Sequence, residues 1–141
     1  MFIKTHLAIT VFAILLFVNH VSSKLLFIIV ALAATFLPDI DTAFSTLGKF
    51  KGFRFLQFFI RHRGLFHSFS FCIFVSILFA MFVPSIAFAF FLAYSLHLVA
   101  DSFTIEGIKP FWPYNKTSSG KIRTGGKIET GIFVFFLLFD I

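Results

Sequence analysis

A chain of 141 residues with 59% hydrophobic residues, only 13% charged and a mean hydropathy of +1.00 is too apolar for a soluble domain and belongs in a bilayer. Its net charge of +6 comes from 12 Lys and Arg against 6 Asp and Glu, without the groove-reading or base-stacking elements that a nucleic-acid role requires. The single cysteine, Cys72, excludes an intramolecular disulfide and a paired-cysteine metal site.

In chain order, Leu7 to Val18 is an apolar segment opened by Lys4-Thr5-His6 and closed by Asn19-His20. Lys4 and Val21-Ser22-Ser23 give it a weak resemblance to a secretory signal peptide, but a retained span is the better reading. Leu25 to Leu37 is a second apolar run, ended by Pro38 and followed at once by Asp39-Ile40-Asp41. From Ala43 to Arg63, basic and aromatic residues alternate, as in an amphipathic segment lying on a membrane surface. Ser68 to Ala100 then carries no charged residue, and as one helix it would reach roughly 50 Å, too far for a hydrocarbon core of about 30 Å. Val83-Pro84-Ser85 offers a turn near its middle, which divides it into two helices of about 16 residues each. A loop rich in Gly, Pro and Lys follows Asp101, with Trp112 and Tyr114 suited to the interface. Ile132 to Phe139 is long enough only to begin a fifth, C-terminal helix. The expected fold is all-α: four short transmembrane helices and a surface segment, forming one integral-membrane domain over residues 1–141 without internal repeats.

This folding pattern distributes charge unevenly. Lys4, the five basic residues of the middle segment and the five after Ser102 fall on one side, and Lys24 alone falls on the other. That is the positive-inside pattern, which places the basic face in the cytoplasm of an inner membrane.

The same pattern gathers His6, Asp39, Asp41, His62, His67, His97 and Asp101 on the basic face, and leaves His20 on the other. His97 and Asp101 stand at i and i+4, on one helix face, so both can reach one ion. Asp39 and Asp41 can bind a cation or orient a ligating imidazole. Taken singly, each residue has an ordinary role: a surface or capping histidine, Asp39 or Asp41 capping a helix after Pro38, Arg61 and Arg63 anchored in headgroups. Seven convergent candidates in a chain with so few acids and histidines favour a metal site. Imidazole with carboxylate, without thiolate, suits zinc first, with manganese or iron(II) next, and two ions could share so large a set.

These residues resemble a family. His6, Leu37-Pro38-Asp39-Ile40-Asp41, His62-Arg63-Gly64 with His67-Ser68, and His97-x-x-x-Asp101 followed by Thr104, Gly107 and Pro110 are similar in order and spacing to the YdjM-like membrane-bound, predicted metal-dependent hydrolases. Gly125-Gly126-Lys127-Ile128-Glu129 resembles the family's Gly-rich step before its last helix, whereas Phe66 stands where the family usually has Thr. The resemblance implies hydrolysis by metal-activated water of a phosphoester or other lipid-related substrate at the cytoplasmic interface. On that reading Glu129 is a proton carrier, and Arg61 and Arg63 hold an anionic substrate. The alternative is a metal-binding membrane protein without catalysis, or a metal transporter; ligands at helix ends rather than at mid-membrane weigh against transport.

Overall fold

The computed structural model describes residues 1–39 and 64–140. Asp41, Arg61, His62, Arg63 and the amphipathic segment expected over Ala43–Arg63 therefore lie outside the described residues. Five α-helices are found among the described residues: α1 (Ile3–Phe17), α2 (Lys24–Phe36), α3 (Phe69–Phe82), α4 (Pro84–Ser102) and α5 (Lys127–Phe139). The all-α expectation holds, and between α4 and α5 there are only two isolated bridges, Thr104 with Ile122 and Ile108 with Ser118.

Local chemistry sets the boundaries. Ser68 caps α3 by accepting the Phe71 N–H at 3.2 Å. Val83 leaves the helical region at φ −142°, and Pro84 opens α4 at a position where its missing N–H costs nothing. The uncharged run is thus a hairpin, of 14 and 19 residues. α5 begins at Lys127 rather than at Ile132, because Gly126 and the buried Glu129 already form its first turn.

The expectation of four transmembrane helices is corrected. Among the described residues, two stretches are long and apolar enough to cross a membrane: Ile3–His20, which joins α1 to a short 3-10 turn, and Pro84–Ser102. At about 1.5 Å per residue, the 13 residues of α2 and the 14 of α3 rise only about 20 Å, short of a hydrocarbon core of about 30 Å. Lys24 and Pro38 bound the first of them, and Ser68 and Pro84 the second.

α4 lies at the centre, packed against α1, α2 and α3, while α5 packs on α1. Ala31, Ala34, Ala89 and Ala93 are almost completely buried, and such small side chains let helix backbones approach closely. Phe90 and Tyr94 of α4 fill the space beside them, with ring centroids 5.1 Å apart. Outward, the helices present large apolar groups such as Leu16, Leu25, Ile29, Phe74, Met81 and Leu138. Inward they bury Thr5, His6, Thr10, Thr35, His97 and Asp101. Polar groups inside and bare hydrocarbon outside is the arrangement that a bilayer demands and water penalises.

Candidate metal centre

One end of the bundle collects the imidazoles. His6 comes from the first turn of α1, Asp39 from the chain just past α2, His67 from the residue before the α3 cap, and His97 and Asp101 from the last turns of α4. The antiparallel α3–α4 hairpin is what brings His67 and His97 to the same end, since a continuous helix would have set them far apart. His20 stands exposed beyond the far end of α1.

The side chains meet at ligand spacing. His6 Nε2 lies 3.2 Å from Asp101 Oδ1, and His67 Nε2 and His97 Nε2 each lie 3.8 Å from Asp101 Oδ2. Asp39 Oδ1 is 3.5 Å from His67 Nε2 and 3.8 Å from His97 Nε2. Two overlapping sets result, His6–His97–Asp101 and Asp39–His67–His97, each with its ligand atoms within 4.8 Å of one another. Zinc holds nitrogen and oxygen ligands at about 2.0–2.2 Å, and a tetrahedron with such arms has edges of about 3.3–3.6 Å. The observed separations are close to those edges. Asp101 has one oxygen toward His6 and the other toward His67 and His97, and so links the two sets.

The rings themselves are short of partners. His6 and His97 stack with centroids 3.8 Å apart and planes 8° from parallel, and both are about 1% exposed. Neither nitrogen of either ring makes a hydrogen bond among the described residues. An unsatisfied buried polar atom costs about 1–3 kcal/mol, and such atoms in native proteins generally mark an unfilled role. Each neutral ring has one lone-pair nitrogen, and the Nε2 atoms of His6 and His97, 3.2–3.8 Å from the Asp39 and Asp101 oxygens, fit a cation that accepts one lone pair from each ring. At Asp39, burial pushes the carboxyl upward, but the contact with His67 and the fields of His97, His67 and His6 outweigh it and hold the group below its ordinary value.

Supporting contacts fix these side chains from outside. The Met1 amino group donates to Asp101 Oδ1 at 2.6 Å. Tyr94 Oη donates to the Phe66 carbonyl at 2.6 Å, which pins the loop carrying His67 to α4. At the Phe66 position the backbone oxygen is therefore what serves the site, while the ring packs on Phe71 at 4.9 Å. Thr104 Oγ1 donates to the Asp101 carbonyl at 2.7 Å and accepts from the Gly107 N–H at 3.2 Å. Glu129 stands apart from the imidazoles. Its carboxylate accepts the Phe2 N–H at 2.6 Å, the Thr5 hydroxyl at 3.0 Å and the Gly125 N–H at 2.6 Å, and so ties the start of α1, with His6, to α5. Thr5 and Tyr94 were not foreseen from the sequence. The available signal was position: Thr5 adjoins His6, and Tyr94 lies one helical turn before His97.

The sequence profile of the YdjM inner membrane protein family matches residues 1–140, nearly the whole chain. No curated protein and no solved structure matches it.

Proposed function

The chain belongs to the YdjM inner membrane protein family, and from that premise we propose that it is a membrane-bound, metal-dependent hydrolase acting on a phosphoester or other lipid-related substrate. The observation that carries the reading is the pair of overlapping ligand sets, His6–His97–Asp101 and Asp39–His67–His97, in which the buried rings of His6 and His97 make no hydrogen bond among the described residues. His6, His67, His97, Asp39 and Asp101 would hold a divalent ion, zinc by preference, and Asp41 and His62, which lie outside the described residues, are further candidate ligands. When bound, such an ion supplies Lewis acidity, which makes water nucleophilic near neutral pH and polarises a phosphoryl oxygen. Asp39, the most exposed of the candidate ligands among the described residues and held below its ordinary carboxyl value by the imidazoles, would bind the ion as an anion. Arg61 and Arg63 bind the anionic group by paired hydrogen bonds. Glu129, engaged by three donors none of which is an imidazole, supports the site by holding His6 in place and is the candidate proton carrier. The basic residues around the site orient it to the cytoplasm.

The test is hydrolysis by protein in nanodiscs of a chromogenic phosphodiester and of phospholipids, with zinc, manganese or iron(II) supplied and then chelated. Turnover that chelation and His67→Ala both abolish supports the proposal. Metal flux into proteoliposomes without hydrolysis of any phosphoester replaces it with transport.

A further inference from the structure

A second feature lies close to the candidate centre but shares no residue with it. The loop after α4 returns to the start of α3, where the Pro110 carbonyl accepts the Phe69 and Ser70 N–H groups at 2.8 and 3.4 Å. Between this loop and α3 runs a groove of about 500 Å³ lined by Ser70, Phe111, Trp112, Tyr114 and Lys116. Its walls are aromatic and its rim is cationic. Phe111 and Tyr114 are 61% and 76% exposed, an unusual state for such side chains in water and an ordinary one at a bilayer interface. Lys116 makes no ion pair or hydrogen bond among the described residues, whereas Lys109 is held by Asn115 Oδ1 at 3.2 Å. From Ile108 to Ile128 the chain has five basic residues and no acid. Ile73 and Phe74, three and four residues after Ser70 and so on the same face of α3, are exposed, as are Phe103 and Ile105 at the loop's start.

We propose that this groove is a binding site for one acidic glycerophospholipid, with Lys116 and the Ser70 hydroxyl on the phosphate and Phe111, Trp112 and Tyr114 against the glycerol and upper acyl chain. Charge complementarity selects the headgroup, and the exposed aromatic lining, with exposed Ile73 and Phe74 on the same α3 face as Ser70, selects a lipid over a soluble anion. The site goes beyond the hydrolase reading and does not depend on it, because none of its residues is a metal ligand.

Trp112 is the chain's single tryptophan, so its fluorescence reports on the groove alone. The full chain is reconstituted in nanodiscs with a small fixed fraction of acyl-brominated phosphatidylglycerol in phosphatidylcholine, and separately with the same fraction of brominated phosphatidylcholine in phosphatidylglycerol. The brominated acidic lipid should quench Trp112 with an apparent preference of roughly fivefold, the factor one lysine contributes at an anionic surface. Lys116→Gln should remove that preference, and Lys121→Gln, outside the groove, should leave it. Equal quenching by both lipids overturns the proposal. So does an equal loss in the two variants, which would mean diffuse attraction to the surface. The readout needs neither bound metal nor turnover, so an inactive protein leaves it intact.

Discussion

His6 and His97 are the residues where physical cost and chemical purpose meet. Stacked, buried and without hydrogen bonds among the described residues, they destabilise the bundle unless a ligand engages them. Glu129 shows the opposite condition, with every donor around it answered. Glu129→Gln turns one acceptor into an NH₂ facing the Thr5–Phe2 pair or the Gly125 N–H, and should lower stability by about 1–3 kcal/mol in detergent unfolding. An unchanged midpoint would remove the anchoring role. His6, Asp39, His67, His97 and Asp101 were legible in the sequence, because ionisable groups stand out in an apolar chain and their spacing put them at one end of the bundle. Thr5 and Tyr94 were not: hydroxyls occur throughout apolar helices, and only the folded contact distinguishes one that holds Glu129 or Phe66.

At the scale of elements, the α3–α4 hairpin decides whether a centre can form at all. Its legibility came from Pro84, which permits a helix start but not a helix interior. The reach of the apolar helices was less legible, since hydrophobicity does not say where caps fall: Ser68 and Lys24 start α3 and α2 late enough to leave each shorter than a hydrocarbon core of about 30 Å, so that their path between the two ends needs a locally thinner bilayer. The first turn of α5 was hidden because Lys127 and Glu129 look like loop residues until Glu129 is seen buried. α4 is closely packed at Ala93, 1% exposed, so Ala93→Leu should overpack the interface and cost about 1–3 kcal/mol. A thermal scan in detergent checks this; full tolerance would mean that α4 is not the central helix. Gly107, at φ +63°, has no room for a side chain, because a Cβ would lie 2.3 Å from the Ser118 carbonyl oxygen. Gly107→Ala should therefore loosen the turn bonded to Thr104, with faster amide exchange at Ile108 and Ser118; unchanged exchange would contradict that coupling.

For the whole molecule, the exposed hydrocarbon, the buried polar centre and the family agree on a membrane protein. The orientation expected from charge, with the candidate centre toward the cytoplasm and Lys24 at the opposite end, can be tested directly. In a Cys72→Ser background, an impermeant maleimide added outside spheroplasts should label Ser22→Cys between α1 and α2, and should label Ser119→Cys only after lysis. The reverse pattern would turn the site outward. The central claim concerns what fills that site, and the most direct measurement is elemental analysis of detergent-purified protein beside its His97→Ala/Asp101→Ala variant, with helix content checked in both. One or two zinc, manganese or iron ions per chain, absent from the folded variant, is the predicted result. No metal in either protein after reconstitution with each ion would mean that the imidazole cluster is structural, and would contradict the account.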